Sequence, residues 1–438
     1  MRQNYRNLKV AVLGSGTVGS EVVHRLLTER DELGARIGAT LDVVGVAVRD
    51  VTKPRNQAIP QDLLTEDADS LVTGADIVVE LMGGIEPAKS LILRALESGA
   101  DVITANKALL AAHGPELFDA ATKVGAQLYY EAAVAGAIPI IRPLRDSLAG
   151  DEVHRILGIV NGTTNYILDL MDTAGASMDE ALAKATELGY AEVDPTADVG
   201  GYDAQQKAAL LAQLAFHTAI DLEEVGREGI TDISIDQVEA AKEAGYVIKL
   251  LAICERVRSS EHDGVSVRVH PTLVPRDHPL AAVHGANNAV FVEAEGAGSL
   301  MFYGAGAGGP ETASAVLGDI VSAARRHVAG GPGVAESTHA DLPMVDPGVV
   351  PTRYQIALRV ADEPGVLEQI ASVFSDAGVS VETLTQHAPG PSEGHSEEAS
   401  LVIHTHKAPE ASLSATVSNL EKLGVVTTVT GVVRVEGA

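Results

Sequence analysis

Between Gly189 and Lys207, nineteen residues carry four acids (Glu192, Asp194, Asp198 and Asp203) and one lysine, Lys207, with no arginine to neutralise them. Read as a solvated surface, Asp203 and Lys207 form an i, i+4 ion pair worth only a few tenths of a kcal/mol. Their helical face, however, continues into Leu210 and Leu214, with Leu211 beside them. The pair therefore stands at the head of a stripe that should pack inward. A lysine drawn into a cleft beside carboxylates is costly unless paired, and such lysines usually have a task. The chemistry would be to hold a substrate ammonium on the carboxylates while the lysine stabilises or protonates a reacting oxygen.

A second group could supply a redox partner. Gly14-Ser15-Gly16-Thr17-Val18-Gly19 follows an apolar run, Lys9 to Leu13, and opens a helical pattern. A lone GxGxxG is a weak signal and is compatible with an ordinary turn. At the head of a βαβ unit, Gly14, Gly16 and Gly19 read as a dinucleotide fingerprint, with the pyrophosphate on the helix N-terminus. Just past the second strand, where an acid would grip a ribose 2′-hydroxyl, stand Arg49, Lys53 and Arg55, with Asp50 adjacent. A guanidinium suits a 2′-phosphate, so NADP is favoured and NAD stays open. Met82-Gly83-Gly84 and Thr104-Ala105-Asn106-Lys107 follow later strands, at the carboxyl ends where open sheets bind ligands. Lys107 reads equally as a solvated helix-start lysine or as a contact to substrate or coenzyme.

The elements that position these groups alternate. Strands are expected at Lys9 to Leu13, Asp42 to Val48, Ile77 to Leu81, Val102 to Thr104 and Gln127 to Glu131. Helices are expected at Val18 to Glu29, Ala88 to Ser98 and Glu116 to Lys123. That is a parallel sheet covered on both faces. From about Pro143 the pattern becomes α+β. A strand is expected at Val153 to Val160, a turn at Asn161 to Asn165, helices at Met178 to Leu188 and from near Val199, and strands at Val265 to Val269 and Ala289 to Glu293. A second glycine-rich turn, Gly304 to Gly309, precedes a helix from Thr312 to Arg326. Residues 331–351 lack periodicity and read as a linker. A βαββαβ unit closes the chain, with a long polar loop from Ala388 to Ala399.

Composition narrows the class. The chain has 438 residues, so the length prior is about three domains. Against 32 Lys plus Arg stand 60 Asp plus Glu, a net charge of −28. Polyphosphate binding needs clustered cations, so nucleic acid is a poor partner, and so is an anionic membrane surface. No window is apolar enough to span a bilayer and no signal peptide is evident, so a cytoplasmic location is expected. The single cysteine, Cys254, excludes an internal disulfide, and the histidines show no metal-ligand spacing.

Taken together, the stretch from Gly189 to Lys207, the fingerprint and the C-terminal unit resemble homoserine dehydrogenase in its single-function form with a C-terminal ACT domain, over essentially the whole chain. The resemblance implies reversible reduction of L-aspartate 4-semialdehyde to L-homoserine with NAD(P)H. It implies Lys207 as the proton donor and acceptor, Lys107 at the cofactor–substrate junction, Glu192 and Asp203 as substrate-binding carboxylates, and Asp198 as a supporting acid. Thr17, Val18, Arg49, Lys53 and Gly189 match cofactor contacts, and Gly306 matches a glycine that closes over the nicotinamide. The loop Glu131 to Pro139 is similar to one that holds sodium through the carbonyls of Glu131, Val134, Gly136 and Ile138, although Ala137 stands where relatives often carry glycine. Asp362-Glu363-Pro364-Gly365-Val366-Leu367 resembles the first turn of ACT domains, with Gly378 at the next turn. That implies feedback by L-threonine. The implied fold class is α/β: a Rossmann domain (1–142, joined by a helix at about 310–330), an α+β substrate and dimerisation domain (143–309), the 331–351 linker and a ferredoxin-like ACT domain (352–438). A homodimer or homotetramer is expected. Two rivals are another ACT-linked dehydrogenase, such as 3-phosphoglycerate dehydrogenase, whose fingerprint would lie mid-chain, and a non-catalytic sensor of dinucleotide and amino acid.

Overall fold

The strand Arg6–Leu13 is fully buried from Val10 onward, so both of its faces must be covered. It sits in the middle of a six-stranded parallel sheet. To one side lie Ala39–Ala47 and the short Leu64–Thr65. To the other lie Ile77–Glu80, Asp101–Thr104 and Leu128–Tyr129. Strand order therefore reverses between Arg6–Leu13 and Ile77–Glu80, and the crevice beyond their carboxyl ends is the natural ligand position. The computed structural model describes residues 6–55, 59–334, 336, 338–387 and 398–436. Most of the expected Ala388 to Ala399 loop lies outside them.

By its internal contacts the chain forms two units. The first is 1–162, 203–225 and 286–342; the second is 163–202, 226–285 and 343–438. In the first, helix Thr17–Thr28 buries Gly19, Val22, Val23 and Leu26, the inward stripe of an amphipathic helix. Helix Gly309–Ala329 packs beside it, and Val316, Ile320 and Ala323 join Leu8, Val10 and Val12 in one core. Each such aliphatic side chain contributes about 1.5–3 kcal/mol on burial. The helix expected at Glu116 to Lys123 in fact runs Lys107–Val124, through Pro115. Asn106 caps it by accepting from Leu109 N at 3.2 Å. Burial of Leu109, Leu110, Leu117 and Phe118 outweighs the roughly 3 kcal/mol cost of an internal proline. Val153–Ile159, Asn287–Ala294 and Gly298–Ala305 form an antiparallel trio.

In the second unit, the turn expected at Asn161 to Asn165 is instead the start of a helix, Gly162–Ala174. Thr163, Thr164 and Asn165 are buried there, so tertiary packing overrides their turn preference. The helix expected from near Val199 is split: Thr196–Val199 makes one turn, Gly201 at φ +80° breaks it, and Tyr202–Phe216 restarts. The strand expected at Val265 to Val269 is half of a thirteen-residue arm, Asp263–Pro275, paired antiparallel with Tyr246–Arg258. The C-terminal βαββαβ unit has its own core around Ile356, Phe374, Leu401 and Leu420. Its last strand, Val426–Val435, continues the hairpin sheet through Thr272↔Arg434 and Leu273↔Val435. Within the expected 331–351 linker, Ala340 N donates to His217 O, and Val345 N to Val265 O. Among the described residues, no helix is long and apolar enough to cross a membrane.

Candidate active site

Helix Tyr202–Phe216 is buried on most of its circumference, through Ala204, Ala208, Ala209, Leu210, Leu211, Ala212 and Leu214. Asp203 is 6 % exposed and Lys207 9 %, so the pair lies inside the apolar stripe and not on the surface. Lys207 Nζ lies 2.8 Å from Asp203 Oδ2 and donates to Val160 O at 2.7 Å. Asn161 Nδ2 donates to the same carboxylate oxygen at 3.0 Å. Strand Val153–Ile159 delivers both Val160 and Asn161 at its end. The other oxygen, Oδ1, is taken by Lys107 Nζ. Lys107 begins its helix directly beyond strand Asp101–Thr104. Burial opposes ionisation of Asp203, but Lys207 and then Lys107 outweigh it and hold the carboxyl well below the usual carboxylate range. Two ammoniums on one carboxylate leave an excess positive charge. A buried ion pair is a poor device for stability, whereas excess positive charge fixed in a cleft suits an oxygen that becomes negative.

Of the residues expected to hold the cofactor, Gly14, Gly16, Arg49 and Lys53 line a cleft of about 500 Å³, together with Asp50, Arg55 and Met82. Gly14 has φ +99°, and a Cβ there would come within 2.7 Å of Leu81 O. The protein's own backbone therefore demands that glycine. A Cβ on Gly16 would meet nothing within 4 Å. That open space, at the N-terminus of the Thr17–Thr28 helix that also carries Val18 and Gly19, fits a pyrophosphate. Asp50, the competing acid, lines the same cleft, and its Oδ1 accepts from Thr52 N at 2.8 Å and Thr52 Oγ1 at 2.6 Å. Arg49 and Lys53 are exposed at the cleft. Gly309, at the start of helix Gly309–Ala329, packs on Thr17, whereas Gly306 stands against Asn288 and outside the lining of this cleft.

The remaining acids stand in the second unit, ahead of the same helix. Gly189 (φ +78°) follows the end of helix Met178–Glu187. Glu192 is exposed, and Asp198 is half-buried in the single turn Thr196–Val199. The structure thus brings Lys107, Asn161, Asp203 and Lys207 together in the first unit and leaves Glu192, Asp198 and Gly189 in the second. The Glu131 to Ile138 loop is buried apart from half-buried Ala137, with Ala135 and Gly136 in the left-handed region at φ 55° and 57°. The amides of Ala137 and Ile138 donate to Ala305 O and Ala135 O. Among the described residues, no cluster of three His, Cys, Asp or Glu side chains could hold a metal.

Comparison with known proteins decides the family. Residues 139–321 match the model of the homoserine dehydrogenase family, residues 14–131 match its NAD binding domain, and residues 354–425 match the ACT domain. A homoserine dehydrogenase of Corynebacterium glutamicum is 54 % identical over 431 residues, spanning 98 % of this chain and 95 % of that protein. The chain belongs to the homoserine dehydrogenase family. The crystal structure of a homoserine dehydrogenase from Thiobacillus denitrificans superposes with a TM-score of 0.91 at 38 % identity, covering 99 % of both chains. A hyperthermophilic archaeal homoserine dehydrogenase in complex with NADPH aligns over 74 % of this chain and 99 % of its own, with a TM-score of 0.60 and 26 % identity. As a homoserine dehydrogenase, the chain is an NAD(P)-dependent oxidoreductase with a C-terminal ACT domain.

Three residues of this homoserine dehydrogenase were not assigned a role from the sequence. Glu80 is fully buried, and its carboxylate accepts from Met82 N at 2.8 Å, Gly83 N at 3.1 Å and Thr104 Oγ1 at 2.6 Å. It shapes the turn at the ends of two strands. Arg55 Nε donates to Ser15 Oγ at 2.7 Å and ties the loop after Ala39–Ala47 to the glycine turn. Asn288 is 1 % exposed, and neither its Nδ2 nor its Oδ1 has a partner among the described residues. A Cβ on Gly306 would run into its amide. Glu80 and Asn288 carry no sequence signal: Glu80 needs Thr104 from the neighbouring strand besides the adjacent turn, and Asn288 meets Gly306 from the next strand's end. Arg55 was visible only as one of three nearby cations.

Proposed function

We propose that the chain interconverts L-homoserine and L-aspartate 4-semialdehyde, with NADP(H) preferred over NAD(H). One observation carries the reading: Lys207 Nζ is buried and fixed by both Val160 O and Asp203. A primary ammonium held this way is aimed and desolvated before substrate arrives. It can pass a proton to the oxygen that becomes an alcohol and recover it in the reverse direction. Bound NADP supplies the hydride chemistry. Lys107 adds positive charge beside the same oxygen or the substrate carboxylate. Among the substrate-binding acids, Glu192 and Asp198 are assigned the substrate ammonium, and Asp203, whose oxygens are taken by Lys107 and Lys207, orients those two lysines toward the substrate. Gly14, Gly16, Thr17, Val18 and Gly19 seat the pyrophosphate, Arg49 and Lys53 face the 2′-phosphate, and Gly189 and Gly306 bound the nicotinamide end. Asn288, whose buried amide has no partner among the described residues, supports that end by packing on Gly306.

The same reading gives the loop carbonyls of Glu131, Val134, Gly136 and Ile138 a sodium ion. Oxygen donors in a buried turn suit a hard cation. It would stiffen the loop against Gly306, whose carbonyl a Cβ on Gly136 would strike. The ACT domain is assigned L-threonine feedback and the assembly a homodimer or homotetramer. Light scattering that found only a 45.4 kDa species would overturn the assembly. The reaction is tested by homoserine-dependent reduction of NADP⁺ and NAD⁺ at alkaline pH. Turnover faster with NADP⁺ is the expected result. Absence of turnover from folded protein that still binds coenzyme would overturn the reading in favour of a sensor.

A further inference from the structure

Glu80 ends a strand whose other residues are Ile77, Val78 and Val79, and like them it is fully buried. Among the described residues its partners are hydrogen-bond donors rather than a cation. Burying a carboxyl group costs free energy that another aliphatic side chain would not, so Glu80 stands there for what it binds. Its Oε1 accepts from Met82 N at 2.8 Å and Gly83 N at 3.1 Å, and its Oε2 from the Thr104 hydroxyl at 2.6 Å. Thr104 is its register partner at the end of the neighbouring strand.

The contacts continue beyond Thr104. Its hydroxyl oxygen also accepts from Asn106 N at 3.0 Å. A backbone N–H can only donate, so the single hydroxyl proton goes to Glu80 and the chain of bonds has one polarity. Asn106 caps helix Lys107–Val124 with its Oδ1, and its Nδ2 donates to Gly84 O at 2.6 Å. The bonds close a ring. Glu80 holds the turn Met82-Gly83-Gly84, Gly84 holds Asn106, and Asn106 returns through Thr104 to Glu80. Gly83 and Gly84 lie at φ +72° and +78°. A pair of left-handed glycines orders itself poorly, so the ring is what fixes the turn. Glu80, Thr104 and Asn106 are all buried, which leaves water little access to replace a lost bond and makes a fully paired network stiff.

Each side of the ring reaches one part of the site within the first unit. Met82 lines the coenzyme cleft. Lys107 directly follows Asn106, and its ammonium lies on Asp203. We propose that Glu80 is a positioning residue for the reaction: through Thr104 and Asn106 it makes the coenzyme turn and the start of the Lys107 helix one rigid piece, so that Lys107 is placed from the coenzyme side of the site. This rests on the reading of Lys107 as part of the chemistry and names what holds it there.

The test is a double-mutant cycle between Thr104→Val and Lys107→Met, read as kcat for homoserine oxidation and KM for NADP⁺. Thr104→Val cuts the link to the helix and leaves Met82 N and Gly83 N on Glu80. It should lower kcat about tenfold with KM for NADP⁺ within about twofold. Thr104→Ser, which keeps the hydroxyl, should stay within about twofold in both. Glu80→Gln should lower kcat and also raise KM for NADP⁺ about threefold or more, because it loosens the turn as well. In Lys107→Met, itself slower, adding Thr104→Val should change kcat by less than about twofold, since the residue it positions is gone. Equal losses in both backgrounds, or wild-type turnover by Thr104→Val, overturn the positioning role alone. Normal kcat in Lys107→Met overturns the reading of Lys107 and the positioning role with it. Amide exchange in the unmutated chain gives a readout free of turnover and of variant folding. Adenosine 2′,5′-bisphosphate, which has no nicotinamide to reach Lys107, should slow exchange at 82–84 and also at 106–109. Slowing at 82–84 alone, or at neither segment when the compound is bound, overturns the ring as a link.

Discussion

Asp203 Oδ2 lies 2.8 Å from Lys207 Nζ, one turn along the same helix, and the other oxygen of that carboxylate is held by Lys107 from a different helix. One buried carboxylate thus sets the position of two ammoniums, and removing it leaves both without their shared partner.

Replacing Lys207 by Met should therefore lower kcat for homoserine oxidation by about 10³-fold, and Asp203→Asn by about 10²-fold, the range for a positioned proton-transfer group. Coenzyme affinity, followed by nicotinamide fluorescence, should change by less than about threefold. A Lys207→Met enzyme with a tenth of normal turnover would remove the lysine from the chemistry.

Arg49 and Asp50 both line the cleft beside the glycine turn, and Thr52 takes only Oδ1 of Asp50. Arg49→Ala should raise KM for NADP⁺ about tenfold, equivalent to about 1.4 kcal/mol, and leave NAD⁺ nearly unchanged. Arg55→Ala should raise both, because Arg55 secures Ser15 in the shared pyrophosphate turn. Equal effects of Arg49→Ala on the two coenzymes would contradict the phosphate assignment.

Both amide atoms of Asn288 are without a partner among the described residues, at a cost of about 1–3 kcal/mol per group. Asn288→Leu, of similar size, should keep or raise the thermal midpoint of the coenzyme-free protein while lowering kcat/KM about tenfold or more. A lower midpoint with unchanged kinetics would make Asn288 purely structural.

Lys249 is 2 % exposed, its ammonium on Asn165 Oδ1 at 3.0 Å and Val283 O at 2.7 Å. Burial pushes its pKa down from 10.5 to about 8, against the pull of Asp169 and Asp172. Between these values the unfolded chain binds more protons than the folded one, so this contribution rises with pH from about 8 to 10.5 and is lost as pH falls through about 8. Urea unfolding should show the wild type gaining up to about 3 kcal/mol over that window relative to Lys249→Met. Parallel pH profiles for the two proteins would refute it.

The order of elements in the parallel sheet, the glycine fingerprint, the ACT unit and the Asp203–Lys207 spacing were all readable along the chain, because each depends on residues a few positions apart. Apolar periodicity fixes which face of a helix or strand is buried, and i, i+4 spacing fixes which side chains are neighbours. What needed the tertiary structure is whatever depends on distant segments meeting. Lys107 reaches Asp203, Val160 O receives Lys207, and Asn288 stands against Gly306. The helix beginning at Gly162 and the helix running through Pro115 belong here too, since local turn and breaker preferences of a few kcal/mol gave way to burial against partners absent from the local sequence.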